Sequence, residues 1–542
     1  MRLALAALFA LAPSLAAQEH QHDHDAARLG RVVFSVSCAP AAQQRFEHAM
    51  AVLHSFWWEE GRKAFGAVLA ADSTCAMAYW GLALNAWGNP FAGGPSGPAL
   101  ATGAKAAARA QSLPARTRRE RGFIAATGAL YRDAASTPNA VRLQAYADTM
   151  ASLYRVFPRD VEIAIYHALA QIATAPRTDT TFAQQRRAIA ILEPLFARYP
   201  DHPGLAHYVI HATDTPQLAH LGLRAARRYA QIAPAAPHAQ HMPSHIFVRL
   251  GLWDETVASN WRSYRAGSEY ARAAGLTGAP EELHALDYAV YGYLQRGQDS
   301  AARAAVAVGQ RVNASNAGGL VASYNGTAMA ARIPLERGDW ASAAAFPVPP
   351  GSPAPIVSAL ARFTRAIGSA RSGRAEQARA EVGELDSIAK ALQATGEPYW
   401  SRIVRIKRDA ASAWARLATG DTAGALTLAK AAADTEEVTD KHQVTPGELL
   451  PARELEGDML LVAGRPAEAR IAYRMALVRE PGRARSSFGA ARAAELAGDR
   501  AAAAAGYREF LRLMAHADPG RGEVAIAKSF GGRPEAVEAP SP

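Results

Sequence analysis

The feature that most constrains the fold is a repeat of 34 residues near the C-terminus. The segments "AGRPAEARIAYRMAL" and "AGDRAAAAAGYREFL" carry a glycine, a small residue and an aromatic residue at matching positions. Apolar residues three and four apart predict helices, and the glycines predict turns between them. One helix pair of this length cannot bury its apolar face alone, so neighbouring pairs must stack. The matching residues are Gly464, Ala469 and Tyr473, then Gly498, Ala503 and Tyr507.

Glycine and proline residues that predict turns also recur along the rest of the 542 residues. Pro200 and Pro234 also recur after 34 residues, and further glycine turns follow at wider spacings. This pattern resembles the tetratricopeptide repeat (TPR), in which Gly or Ala lies where two helices cross and proline follows the second helix. The resemblance implies an all-α fold, a right-handed superhelical α-solenoid of TPR-like helix pairs. We expect two lobes.

Composition divides the chain into further segments. Residues 1–17 combine a positive start, an apolar run and small residues, which predicts a secretory signal peptide. We therefore expect an exported protein, periplasmic or extracellular, without a transmembrane segment in its mature part. The predicted segments after the signal peptide are a His/Asp-rich leader (18–37), an N-terminal lobe (38–345), a Pro-rich junction (346–357), a C-terminal lobe (358–518) and a flexible tail (519–542).

Cys38 and Cys75 are the only cysteines in the chain. An oxidising compartment outside the cytoplasm favours a disulfide between them. Two buried free thiols are the alternative.

The leader carries His20, His22 and His24 between acidic and amide side chains. Imidazoles and carboxylates suit Zn, Cu or Ni, so the leader is a weak metal-site candidate. A solvated leader with incidental metal affinity explains the pattern equally well.

The charge distribution argues against nucleic acid as a partner. The formal net charge is +10, and arginine is interspersed with acidic residues and alanine along the chain. Nucleic-acid binding usually needs a dense basic face. We therefore expect no nucleic-acid partner.

Longer segments carry a second resemblance. The segments "LHSFWWEEGRKAF", "PDHPGLAHYVIHATD", "HAQHMPSHIFVRLGLWDE" and "HALDYAVYGYLQRGQD" lie between residues 34 and 299. They resemble a group of exported bacterial TPR proteins that is sometimes labelled as a component of a TonB system. The resemblance implies an extracytoplasmic repeat scaffold. We expect a protein or peptide partner for it, and association with an envelope complex is an option.

Histidine is concentrated in one part of the chain. Of the 16 histidines, seven lie within 44 residues, where even spacing would place about one. His207 and His211 recur one 34-residue period later as His241 and His245. The seven are His202, His207, His211, His220, His238, His241 and His245.

The TPR resemblance places several of these residues on a concave groove. In such repeats, fixed positions of the first helix line the groove, and residues three and four apart share one helix face. Pro243 would either kink the helix or begin a new one, which would leave His238 and His241 on a loop. The predicted groove patch comprises His207, His211, His238, His241, His245 and His284, with Asp287 and Tyr291 at one end.

Four interpretations of this patch stay open. The histidines could be buried and hydrogen-bonded across helices, or bind Zn, Cu or Ni through His207, His211, His241 and His245. They could form a groove for a peptide or anionic ligand, with His238, His284, Asp287 and Tyr291. Metal-assisted hydrolysis would need a base such as Glu282 or Asp287. We favour a non-enzymatic scaffold that binds a protein, peptide or small ligand, with a metal-dependent hydrolase as the alternative.

Overall fold

The described part of the chain is almost entirely helical, and no β-strand occurs within it. The all-α prediction is therefore confirmed. The predicted signal peptide and the leader histidines His20, His22 and His24 lie outside the described residues. The computed structural model of the protein describes residues 29–176, 178–278, 280–315, 319–349 and 354–531.

The chain folds into two compact units. Of the described residues, unit 1 contains 29–173, 191–207 and 231–236, and unit 2 contains the remainder. These boundaries differ from the lobes that the sequence predicted, 38–345 and 358–518.

Unit 1 is built from seven consecutive helices among its described residues. Aromatic rings fill its core: the Phe34 ring centroid lies 5.2 Å from that of Phe46 and 5.3 Å from that of Phe123. Three further helices, α8 to α10, contribute residues to both units. The helices are α1 (Pro40–His54), α2 (Trp58–Ala71), α3 (Ala76–Trp87), α4 (Gly97–Ser112), α5 (Arg118–Tyr131), α6 (Asn139–Val156), α7 (Val161–Ala173), α8 (Ala183–Arg198), α9 (Pro203–Thr213) and α10 (Ala219–Ile232).

The two cysteines meet in unit 1. The sulfur atoms of Cys38 and Cys75 lie at disulfide distance, 2.04 Å apart. The predicted pairing therefore agrees with the structure.

Unit 2 holds the remaining helices, and successive helices pack against each other. Each helix thus buries its apolar face against its neighbours in sequence, as expected of stacked helix pairs. The helices are α11 (Pro237–His241), α12 (Pro243–Arg249), α13 (Trp253–Ala273), α14 (Pro280–Gln295), α15 (Asp299–Ser315), α16 (Leu320–Arg337), α17 (Trp340–Ala344), α18 (Pro355–Arg371), α19 (Ala375–Ala394), α20 (Pro398–Leu417), α21 (Thr422–Glu437), α22 (Ala452–Val462), α23 (Pro466–Arg479), α24 (Ala484–Leu496), α25 (Arg500–Leu513) and α26 (Gly522–Gly531).

The glycines of the 34-residue repeat lie in turns that follow helices, as the sequence predicts. Gly464 and Gly498 follow α22 and α24 with φ of +72° and +79°, a backbone region that favours glycine. Tyr473 and Tyr507 are almost fully buried at 1% and 2% exposure. A Cβ at Gly489 would lie 2.4 Å from the Tyr473 ring, so the small residue lets two helices approach closely.

The C-terminal end differs from the expected flexible tail. Helix α26 occupies part of that segment, and its side chains Ala527 and Phe530 are buried. The Phe530 ring packs 5.0 Å from that of Tyr507, so apolar burial holds this helix in place. Part of the predicted Pro-rich junction, 350–353, lies outside the described residues. No helix of the described chain is long and apolar enough to span a membrane.

One long connection in unit 2 is buried rather than solvated. Residues 438–451, which we call the inserted segment, join α21 to α22 without a helix. Arg332 of α16 donates to the Gly447 carbonyl at 2.8 Å and to the Glu448 carbonyl at 3.0 Å. These two carbonyl groups of the inserted segment are therefore satisfied inside unit 2.

Candidate metal centre

The histidine-rich segment is broken into two short helices at Pro243. Helix α11 ends at His241 and α12 begins at Pro243, where the missing proline N–H is no loss because a first-turn N–H has no helical partner. Of the two alternatives that the sequence left open, a kink or a new helix at Pro243, the structure has the new helix. The expectation of a loop for His238 and His241 is wrong, because both lie on α11.

Three histidines from α11, α12 and α14 converge in unit 2. Each of His241, His245 and His284 offers one ring nitrogen, and these atoms lie within 4.8 Å of one another. His241 and His245 are buried at 2% exposure each, and His284 is partly exposed. We call these three residues the unit 2 triad.

The proton position on His245 follows from Asp214. His245 Nδ1 lies 2.8 Å from Asp214 Oδ2, and Arg249 Nε donates to Asp214 Oδ1 at 2.9 Å. Burial alone would raise the pKa of Asp214, but Lys441, Arg249 and His245 outweigh it and hold that pKa below its ordinary value. The ionised carboxylate can only accept, so Nδ1 of His245 carries the proton and its Nε2 presents a lone pair.

The proton position on His241 follows from Asn260. Asn260 Nδ2 donates to the Thr256 carbonyl at 2.7 Å, which orients the amide oxygen towards His241. His241 Nδ1 lies 2.7 Å from that oxygen and donates to it. Nε2 of His241 is therefore also a lone-pair acceptor.

Two acceptors thus face each other. His241 Nε2 and His245 Nε2 lie 3.0 Å apart. Burial, followed by the neighbouring His245 and His238, lowers the pKa of His241 well below its ordinary value, which disfavours a proton between the rings. Two imidazole nitrogens on one tetrahedral Zn²⁺, with bonds of about 2.0–2.1 Å, would be about 3.4 Å apart. A metal ion would therefore satisfy both lone pairs with a small adjustment.

His284 completes the triad from a neighbouring helix. Its ring centroid lies 4.3 Å from that of His241. Burial, then His241 and His245, lowers the pKa of His284 well below its ordinary value, so the ring is neutral and able to bind a metal. The Tyr288 ring packs at 4.7 Å from His241, and its hydroxyl donates to the Thr445 carbonyl at 3.1 Å.

The other predicted ligands lie elsewhere. His211 and His238 place one ring nitrogen each within 4.8 Å of the other in unit 2. Burial, then His238 and His245, lowers the pKa of His211 well below its ordinary value. His207 belongs to unit 1, where its Nδ1 lies 2.6 Å from the His54 carbonyl oxygen. In unit 2 the geometry therefore favours His241, His245 and His284 over the predicted four.

Asp287 and Tyr291 do not line an open groove, contrary to the prediction. Asp287 Oδ1 accepts from Arg332 Nε at 2.9 Å, and both side chains are fully buried. Tyr291 donates to Glu480 Oε2 at 3.0 Å and accepts from Arg483 Nη1 at 2.9 Å. The burial of Arg332 and Arg483 requires these acidic partners, because an unpaired buried guanidinium would be costly.

The inserted segment covers this inner face. Tyr288 and Arg332 both bond to its backbone, at Thr445 and at Gly447. The face where a peptide was expected is therefore occupied by the chain itself.

A second cluster, in unit 1, has a different chemistry. His54 Nε2 and His202 Nε2 lie 3.0 Å and 2.9 Å from the two oxygens of Glu162. Burial would raise the pKa of Glu162, but the two histidines outweigh it and hold that pKa below its ordinary value. Both contacts are ordinary N–H to carboxylate hydrogen bonds, so this cluster does not require a metal.

The sequence interpretation missed Asp214, Asn260 and Glu162. Asp214 had a signal, because it follows His211 within the motif "HATD". Asn260 and Glu162 lie on helices without any histidine motif beside them, and only the fold brings them to the rings. Neither His54 nor His202 belongs to the predicted groove patch.

No protein-family model matches this chain, and no curated protein matches it. Among solved structures, yeast Tom70 is similar over 91% of this chain and 89% of its own, with 8% identity and a TM-score of 0.27. The structure of Naa15/Naa10 bound to HypK-THB is similar over 91% and 72%, with 10% identity and a TM-score of 0.23. We draw no functional argument from likenesses this distant. The helix pairs and the triad define the class: a helical-repeat protein with a buried histidine centre.

Proposed function

We propose that this protein is an exported helical-repeat scaffold that binds one divalent transition-metal ion, Zn²⁺, Cu²⁺ or Ni²⁺, through His241, His245 and His284. The observation that carries the proposal is the 3.0 Å approach of two Nε2 atoms, because the oxygen partners of both Nδ1 atoms assign the ring protons to Nδ1. Imidazole is a preferred ligand for these ions.

The surroundings of the triad have the character of a metal site. Histidine ligands usually donate their second ring N–H to a carboxylate or carbonyl oxygen, which fixes the ring and its tautomer. Asp214 and Asn260 supply such oxygens to His245 and His241. The cluster around Glu162 in unit 1 shows the contrasting arrangement, in which both Nε2 atoms face a carboxylate that can only accept their protons.

A metal-dependent hydrolase remains the second candidate because of the number of ligands. Three histidines with a fourth position open are the ligand count of many catalytic zinc sites. Hydrolysis also needs a general base. Of the two expected candidates, Asp287 is paired with Arg332, and Glu282 is buried at 3% exposure. We therefore favour a binding function over an enzymatic one.

Export and partner binding complete the proposal. The N-terminal sequence pattern supports export, and the resemblance to exported TPR proteins supports a protein or peptide partner, with envelope association as an option. Because the inserted segment occupies the inner face beside Asp287, such a partner would bind another surface or displace that segment.

The proposal is tested by the metal content of protein purified without an affinity tag. His20, His22 and His24 are first replaced by glutamine, so that the leader cannot contribute metal. We expect about one ion per chain, lost in the His241→Gln/His245→Gln variant.

The matched control is His220→Gln, because His220 is exposed and lies in the same histidine-rich stretch. It should keep its metal. Absence of metal in the parent chain after incubation with Zn²⁺, Cu²⁺ and Ni²⁺ would sink the proposal.

A further inference from the structure

Helix α23 exposes a stripe of large apolar side chains in unit 2. Ile471, Met475 and Val478 are exposed at 60%, 40% and 79%. Met475 and Val478 follow Ile471 by four and seven residues, so the three side chains share one side of the helix. No other helix of the described chain exposes three such side chains. Single exposed apolar residues are common, whereas a continuous stripe marks an interaction surface.

The same side of α23 carries one charge of each sign. Glu468 and Arg474 are exposed, and Arg474 forms no ion pair with a carboxylate within the described chain. The Glu468 carboxylate accepts from Arg465 Nε at 2.6 Å. A carboxylate has about four acceptor positions, so Glu468 can accept from a second guanidinium. We call the exposed residues of this helix the α23 face: Ala467, Glu468, Ile471, Arg474, Met475 and Val478.

The α23 face is complementary to a second copy of itself. In a two-fold symmetric pair of antiparallel helices centred on Ile471, residues equally far from Ile471 on opposite sides face each other. Glu468 and Arg474 are each three residues from Ile471, so each would face the other in the second copy. Ala467 and Met475 are each four residues away, so a small side chain faces a long one. This arrangement covers the apolar stripe and compensates both charges twice.

The size of the surface indicates a weak dimer. Helix α23 has 14 residues, which is about 21 Å of helix. Val438 adds a side chain that is 54% exposed. It lies beside the end of α23, because Arg479 donates to the carbonyls of Glu437 and Thr439 at 2.5 Å and 2.7 Å. One pair of such helices lies at the low end of specific interfaces, below about 1,200 Å², where association is weak and reversible.

We propose that the α23 face binds a second copy of this chain and forms an antiparallel, two-fold symmetric dimer centred on Ile471. Ile471 packs against Ile471 of the second copy, and Glu468 pairs with Arg474 of the second copy. The α23 face contains none of the triad residues, so the dimer does not depend on the proposed metal function.

The test is sedimentation velocity of the full chain after metal removal, at about 1 to 200 μM. We expect a monomer–dimer equilibrium with a dissociation constant in the micromolar range. Ile471→Asp should raise this constant at least tenfold, because it places two carboxylates at the centre of the contact. The matched control is Val141→Asp on α6, where the valine is 56% exposed and lies in unit 1. It should leave the constant unchanged.

Exchange of the two charges tests the register of the helices. Glu468→Arg and Arg474→Glu each place like charges opposite each other at two positions, so each should weaken the dimer at least fivefold. The double variant Glu468→Arg/Arg474→Glu restores opposite charges and should return the dissociation constant to within twofold of the parent. A double variant as weak as the single variants would overturn this register.

The remaining outcomes decide the surface itself. All the replaced side chains are exposed, so we expect the variants to keep the thermal midpoint of the parent, as circular dichroism would measure. A parent chain that stays monomeric over the whole concentration range, or a dimer that Ile471→Asp leaves intact, would refute the α23 face as the interface. Open-ended association instead of a dimer would refute the two-fold symmetry.

Discussion

Replacing Asp214 by asparagine should weaken metal binding without removing any ligand. In the protein, Asp214 accepts from Arg249 with one oxygen and from His245 Nδ1 with the other. An asparagine has a single oxygen, and Arg249 is always charged and needs it. The amide NH₂ then faces His245 Nδ1, which must accept instead, so the ring proton moves to Nε2 and blocks the metal position.

The expected magnitude follows from this change of tautomer. Loss of the group that orients a metal-bound histidine typically costs 10- to 100-fold in affinity, or about 1.4–2.7 kcal/mol. The same change removes one buried partner of Arg249, whose side chain is 5% exposed. Asp440 remains bound to that guanidinium at 2.9 Å, so we expect a stability loss of up to about 3 kcal/mol rather than unfolding.

The assay is competition for Zn²⁺ against a chromogenic chelator, together with urea unfolding of the metal-free protein. The matched control is Asp440→Asn, which removes the other carboxylate from Arg249 and leaves the contact of His245 with Asp214 in place. It should lower stability slightly and leave the Zn²⁺ affinity unchanged. A folded Asp214→Asn protein whose affinity stays within twofold of the parent would refute the reasoning about the His245 tautomer.

Three further predictions concern stability. The pKa values of His211 and His241 lie below the ordinary 6.5, so acid favours the unfolded state, in which these rings take up protons. Each histidine should lower the free energy of unfolding by about 1.4 kcal/mol at pH 5.5, which urea unfolding at pH 7.5 and 5.5 would measure. A His211→Gln/His241→Gln variant that loses as much stability between these pH values would contradict this. Cys38→Ser should lower the free energy of unfolding by roughly 4 kcal/mol, as the loop-entropy model predicts, and adding reductant to the parent should reproduce that loss in urea melts. Gly368→Ala should lower the free energy of unfolding by about 1–3 kcal/mol, because its Cβ would lie 2.2 Å from a backbone nitrogen. Gly383 faces open space, so Gly383→Ala should stabilise its helix by up to about 1 kcal/mol. Equal thermal midpoints for the two variants would contradict this.

The helical fold was predictable because its signals are local. Turns at glycine and proline, and helices with apolar residues three and four apart, are determined by neighbours within one helix pair. Gly464 and Gly498 therefore have the backbone conformation that their positions in the repeat predict. The boundaries of the two units were not predictable, because they depend on contacts between residues far apart in the chain.

The site was only partly predictable. Spacing brought His241 and His245 together, since both lie in one short stretch and face the same neighbours. The groove positions expected from the TPR resemblance are wrong for Asp287 and Tyr291, because the inserted segment and Arg332 bury that face. No local pattern indicates that a 14-residue connection returns to fill the inner surface, nor that Asn260 from another helix orients His241.

X-ray absorption spectroscopy of the Zn²⁺-loaded protein tests the central claim most directly. The account predicts three imidazole nitrogens at about 2.0–2.1 Å from the metal, and two in the His284→Gln variant. Sulfur ligands, an all-oxygen shell, or an unchanged spectrum in that variant would show that the metal is not held by His241, His245 and His284.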